Sequence, residues 1–195
     1  FNGSLTSPQS VELRPRVSGA IVSVHVPEGA LVRKGQLLFR IDPRPFQVAL
    51  DRARAELLQA QAAAALAESN FSRSEQLVAT SAISRKAYDD AVAQRNAARA
   101  QVQAGNAAVA AARLDLSFTQ VTAPISGRVD RVLVTEGNVV GAGAGAAPLT
   151  TIKSVSPLHV LFDIDEATYL NFVEQARRGG STARLPVEIG LMTEQ

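Results

Sequence analysis

Hydrophobic and polar positions alternate in two short stretches of this chain, and in the long segment between them they fall at helical spacing. "VSGAIVSVHVPEGALVRKG", from Val17, and "ISGRVDRVLVTEGNVVGAG", from Ile125, both alternate small or β-branched apolar residues with polar ones and break at a Glu-Gly pair. That pattern predicts short strands joined by tight turns. The second stretch copies the first at a constant offset of 108: Ser18, Gly19, Val24, Val26, Glu28, Gly29, Val32 and Gly35 recur as Ser126, Gly127, Val132, Val134, Glu136, Gly137, Val140 and Gly143. Further on the offset grows by three, which places Leu38 on Leu149 and Ile41 on Ile152, so the downstream copy holds a short insertion around its Gly/Ala run. Gly29 and Gly137 are expected to supply positive φ, with Gly19 and Gly127 as further turn positions. One copy has too few strands to bury a core, so the two are predicted to pack face to face as one small sandwich.

Between the copies the chain turns to Ala, Gln, Arg, Glu and Leu, with no proline after Pro45 and one glycine up to Ser117; this is the composition of long helices. Phe46, Leu50, Ala53, Leu57, Ala60, Ala64, Ala67, Phe71, Ser74 and Val78 follow at alternating spacings of four and three, a heptad seam. The seam stops at "ATSAIS". It resumes through Tyr88, Ala91, Arg95, Ala98, Val102, Gly105, Val109, Ala112 and Leu116, with Arg95 and Gly105 as blemishes. Two such helices joined by a short loop predict an antiparallel hairpin, roughly 50 Å long at 1.5 Å per residue. Asp42 before Pro43 reads as an N-cap and first helical position, blurred by Pro45. Ser84 reads as the stronger cap, with Ile83 and Tyr88 placed as a hydrophobic staple. Many alanines lie off the seam. They fit two readings, helix propensity alone or contact of the outer face with neighbouring copies or a partner.

The near-even balance of 20 basic and 18 acidic residues gives no sign of nucleic-acid binding, and the absence of Cys removes disulfides and thiolate chemistry. No apolar stretch is long enough to span a bilayer. The abrupt "FNGSL" and the strand-like "VEIGLMTEQ" are expected of an incomplete chain. His25 and His159 stand alone, with no carboxylate placed for a dyad or a metal site. "GNVVGAGAGAAP" leads into no helix and has no Lys-Ser/Thr ending, so it reads as a flexible turn and not a phosphate loop. Asp163, Asp165 and Glu166 suit the start of a helix. No catalytic, cofactor-binding or metal-ligating residue is therefore assigned.

A repeated strand motif split by a helical hairpin, carried here by "VELRPRVSGAIVSVHVPEGALVRKGQLLFRIDP", "LSFTQVTAPISGRVDRVLVTEGNVV" and "SPLHVLFDIDE", resembles the periplasmic adaptor proteins, or membrane fusion proteins, of tripartite efflux pumps. The similarity is strongest to adaptors of resistance-nodulation-division transporters. It implies an elongated α+β fold: an N-terminal strand over 1–13 that joins a β-barrel domain, lipoyl-like halves over 14–42 and 119–153, a coiled-coil hairpin over 43–118, and part of the barrel over 154–195. It also implies a function without catalysis. The adaptor links a proton-driven inner-membrane transporter to a TolC-type outer-membrane channel, in the periplasm of a Gram-negative bacterium. It assembles as a six-membered ring and is attached to the inner membrane by a segment outside this chain.

In that family the hairpin tip carries Arg, then Leu four residues on, then Ser seven further; "RSEQLVATSAIS" places Arg73, Leu77 and Ser84 so. Arg73 offers several donors in a planar fork, Leu77 an apolar plug and Ser84 a hydroxyl. Each also has a plainer reading: a solvated charge, a seam residue and a helix cap. Adaptors of ABC-type exporters, type I secretion systems and heavy-metal pumps share the outline, although Met192 is the only methionine of the kind metal delivery favours. A lipoyl or biotinyl carrier would need a lysine at the tip between the halves. The lysines here are Lys34, Lys86 and Lys153, none of them so placed.

Overall fold

A computed structural model describes residues 3–143, 145–162, 165–166, 168–170 and 173–174. In chain order the elements are β1 (Gly3–Thr6), β2 (Ser10–Leu13), β3 (Gly19–Val24), β4 (Leu31–Val32), β5 (Leu37–Ile41), α1 (Arg44–Ala79), α2 (Arg85–Phe118), β6 (Gln120–Thr122), β7 (Gly127–Val129), β8 (Val139–Val140), β9 (Thr150–Lys153) and β10 (His159–Phe162). They form two units, one over Gln9–Ser156 and one combining the residues up to Pro8 with those from Pro157 onward.

The larger unit holds two four-stranded sheets, β2-β9-β7-β4 and β6-β5-β3-β8, with every pairing antiparallel. Each sheet takes strands from both copies of the repeat. The first copy's β4 pairs with the second copy's β7, Val32 opposite Gly127, and the second copy's β8 pairs with the first copy's β3, Val140 opposite Gly19. The connecting bonds follow the same exchange. Gly29 N–H donates to Val129 O at 3.0 Å and Gly137 N–H to Ile21 O at 2.8 Å; Val129 N–H donates to Ala30 O and Ile21 N–H to Asn138 O. Glu136 Oε1 accepts from Val24 N–H at 3.2 Å and Glu28 Oε1 from Val132 N–H at 3.1 Å. This exchange explains why the phrase occurs twice: each copy supplies the bonds the other lacks.

The strands turn Ile21, Leu38, Phe39, Ile41, Val129, Leu149 and Ile152 into one core, all almost fully buried, the adjacent Leu38 and Phe39 at a register shift in β5 that interrupts its alternation. Repeat partners Ile21 and Val129, Leu38 and Leu149, and Ile41 and Ile152 all lie in it. Each such side chain contributes about 1.5–3 kcal/mol by leaving water.

Two expectations need correction. Residues 10–13 belong to the sandwich, as β2 paired with β9 and with Leu13 in the core, so the boundary expected at 14 lies at Gln9. Gly29 and Gly137 have φ of +73° and +88°, but Gly19 and Gly127 open strands β3 and β7 and are not turn residues. They are small because neighbours approach closely. A Cβ on Gly19 would lie 2.7 Å from Ile41 Cγ2, and one on Gly127 would overlap the Lys153 carbonyl. A side chain can move and a paired backbone cannot. Gly127→Ala is therefore expected to destabilise the domain by about 1–3 kcal/mol or more, and Gly19→Ala by less, as thermal melts of the two variants will show.

The hairpin leaves and re-enters the sandwich at one point, where Ile41 N–H donates to Thr119 O at 2.8 Å. Pro43 already has helical dihedrals, and Asp42 Oδ1 accepts from Arg44 N–H at 3.0 Å, so Asp42 serves the first turn despite Pro45. The Arg44 side chain, then its N–H, hold the Asp42 carboxyl at about 2, down from 3.8. That contribution is complete above the ordinary carboxylate range and is lost as pH falls through about 2. Along the rod every seam residue is buried or half-buried while most others are exposed, so the 3.5 periodicity is realised. The off-seam Val48, Leu58, Leu66 and Leu114 are exposed.

In the smaller unit β1 and β10 pair antiparallel, Gly3 opposite Phe162 and Thr6 opposite His159. Residues 166, 168–170 and 173–174 are helical, and Asp165 accepts from the Thr168 hydroxyl at their start, which lowers its pKa. Asp163, the helix end expected at Gly179 or Gly180, the strand expected over 183–192 and Met192 lie outside the described residues.

Candidate functional site

The turn between α1 and α2 spans Thr80 to Ser84, and its conformation follows from how α1 ends. Ser81 adopts φ +57°, Ser81 N–H donates to Val78 O at 3.1 Å, and Ala82 N–H reaches back to Leu77 O at 2.9 Å. This pair of bonds is a Schellman stop, with serine where glycine is usual. The Thr80 hydroxyl adds a bond to Leu77 O at 3.0 Å. On the other side Ser84 is extended, and its hydroxyl accepts from Ala87 N–H at 3.2 Å, opening α2. Ile83 and Tyr88, at the staple positions, are both half-buried.

Arg73 and Leu77 therefore sit one turn apart on the same face of α1, within its last two turns. Both are exposed, Leu77 at 39%. The seam passes through Ser74 and Val78, which are half-buried, so Leu77 stands beside it. Arg73 has no ion pair or side-chain hydrogen bond among the described residues, and its fork is unspent. Ser84 stands across the loop, exposed, with its hydroxyl engaged as a cap acceptor. The structure thus brings the three residues to one end of the rod, around a turn held by its own backbone.

Several features along the hairpin have no counterpart in the sequence reading. Glu68 and Arg99 bridge the two helices at 2.8 Å. The two blemishes of the second seam are both contacts: Arg95 lies over the Phe71 ring at 3.8 Å, and Gly105 lies against Leu57. An arginine at a seam position opposite an aromatic was the available signal for the first. Periodicity treats it as an error, because a hydrophobicity pattern does not record ring faces.

Lys34, in a turn of the sandwich, donates its backbone N–H to the Ser126 hydroxyl, and Lys153 pairs with Asp130 at 3.1 Å. Lys86 pairs with Asp90 on α2. Among the described residues no group of three His, Asp or Glu side chains could share a metal ion, and no helix is long and apolar enough to cross a membrane.

Comparison with known proteins agrees with this architecture. Residues 9–152 match the family described as RND MFP, barrel-sandwich hybrid domain. The multidrug efflux pump subunit AcrA of Escherichia coli K12 is 37% identical over 177 residues, which are 91% of this chain and 44% of AcrA. The multidrug resistance protein MdtA of Pectobacterium carotovorum is also 37% identical, over 91% of this chain and 43% of its own. The chain thus spans less than half the length of these relatives. Among solved structures, a MacA–MexA chimera containing the MexA α-hairpin domain of Pseudomonas aeruginosa superposes with a TM-score of 0.62 and 31% identity, covering 86% of this chain and 54% of the chimera. An efflux transporter from Bacteroides eggerthii superposes with a TM-score of 0.60 and 26% identity, over 88% and 47%. With the repeat interlocked into one sandwich, the hairpin inserted between its halves, and the family match running through both, this chain belongs to the membrane fusion proteins of resistance-nodulation-division efflux systems and carries their barrel-sandwich hybrid domain.

Proposed function

We propose that this chain is the central part of a periplasmic adaptor, without catalytic activity of its own, that links a proton-driven inner-membrane transporter to a TolC-type outer-membrane channel for multidrug export. In this reading Arg73, Leu77 and Ser84 meet the channel, and the unit containing β1 and β10 begins a β-barrel domain. Six copies ring the channel's lower end, and a segment outside this chain attaches each copy to the inner membrane of a Gram-negative cell. The observation that carries the reading is the tip itself. An unpaired guanidinium and an exposed leucine share one helix face at the end of the rod, where Glu75, Arg85 and Asp89 are also unpaired among the described residues, whereas charges nearer the base pair along the helix, as in Arg52–Glu56 and Arg54–Asp51. An Arg fork beside an apolar knob is the composition of a binding hot spot.

The test is positional. A photo-activated cross-linker placed at Ala82 in the full-length protein, in cells with the assembled pump, is expected to capture the outer-membrane channel. The same group at Val48, exposed near the base of α1, is expected not to. Equal capture from both positions, or from neither, would reject the tip as the contact.

A further inference from the structure

Through its middle the hairpin seam is built of small residues, and Gly105 marks how closely the helices run there: a Cβ on it would lie 3.0 Å from Leu57 Cδ1 and 3.3 Å from Leu57 Cα. Nearer the tip the seam changes character. The buried Phe71 ring on α1 neighbours two large residues of α2, with the Tyr88 ring centroid 5.8 Å away and the Arg95 guanidinium carbon 3.8 Å from its own centroid. Arg95 holds a seam position one heptad after Tyr88, and its Nε is buried without a hydrogen-bond partner among the described residues. Arg95 carries a cost at its Nε beside the gain of its contact with the Phe71 ring. A buried, unpartnered donor is costly, arginine cannot shed its charge, and the neighbouring seam positions are filled by alanine.

We propose that Arg95 is a positioning residue: its stack on Phe71, in the layer that also holds Tyr88, wedges the helices apart beside the tip and sets the spacing between Arg73 and Leu77 on α1 and Ser84 on α2. The separation of packed helices follows the side chains at the contact, from about 8 Å for small ones to about 10 Å for large ones. Phe71 lies two residues before Arg73, and Tyr88 lies one turn after Ser84, so the spacing of this layer passes directly to both sides of the loop. Leu57 against Gly105 draws the rod together, and Phe71 against Arg95 opens it. The consequence for export rests on the tip being the channel contact, whereas the spacing itself does not.

Two measurements separate these claims. In the purified full-length protein, spin labels at Gln76 and Ala87, both exposed, report the width near the tip. Arg95→Ala is expected to shorten that distance by about 2 Å with helical content unchanged. Arg95→Met, which keeps length and bulk without the charge, is expected to retain the parental distance and to melt no lower. In cells, capture of the channel from Ala82 is expected to fall several-fold in Arg95→Ala and to persist in Arg95→Met. An unchanged distance in Arg95→Ala, or a Met variant as narrow as the Ala variant, would overturn the wedge. A shortened distance with undiminished capture would overturn its role in positioning the contact. Failure of the parent to capture any channel from Ala82 would reject the channel reading and leave the wedge to the distance measurement.

Discussion

Arg73→Asp is expected to abolish drug resistance in cells while leaving the protein folded and abundant. Arg73 is exposed and makes no ion pair or side-chain hydrogen bond among the described residues, so its replacement breaks nothing within the chain. It precedes the last turn of α1, where an acidic residue would oppose the helix dipole most. Surface changes of this kind alter stability by no more than about 0.5 kcal/mol. At a partner the effect is larger. Losing a hydrogen bond to a charged group costs about 1.5–3 kcal/mol, and a carboxylate set against acceptor oxygens adds repulsion. If several copies meet one channel, the loss recurs at each. The measurement is drug susceptibility, read beside circular dichroism and capture of the channel from Ala82. Normal resistance with normal capture would return Arg73 to a solvated charge, and a collapsed helical signal would make it structural.

The second large effect concerns the sandwich. Residues 9–42 without 119–156, or the reverse, are expected to show no cooperative melting, because neither four-stranded sheet can form from one copy. A lone first copy would lose the partner of β3 at Gly19 and that of β4 at Val32, along with the acceptors for Ile21 and Val24 N–H. The complementary arm replaces the hairpin, residues 43–118, by a short Gly/Ser turn. Ile41 and Thr119 are already joined by a hydrogen bond, so the linked halves are expected to melt cooperatively as a small domain of their own. Folding of an isolated half would refute the interlock. Failure of the linked halves would show instead that the hairpin is needed to bring them together.

The helical seam was readable because small and apolar residues at alternating spacings of four and three have only one way to bury together. The interlock was readable because a repeat too short for a core must find another copy. The tip was only partly legible: Ser84 declared itself as a cap, whereas Arg73 and Leu77 drew notice through family resemblance and spacing. What escaped had no periodic signature. Gly19 and Gly127 looked like turn glycines, because sequence does not say whether a missing side chain serves a positive φ or a close neighbour.

By itself, the sequence of this protein determined the two helices, the strand character of both repeat copies, the seam of each helix and the turns at Gly29 and Gly137. These depend on local backbone preference and on hydrophobic period, which each short stretch carries in full. Only the tertiary structure decided that residues 10–13 belong to the sandwich, that Glu28 and Glu136 each bond to the other copy, and that Arg95 lies on Phe71. Those outcomes depend on which surfaces lie within a few ångströms of one another after the chain has closed on itself. Residues far apart in the chain, such as Glu28 and Val132, carry no local mark of the partner they will meet.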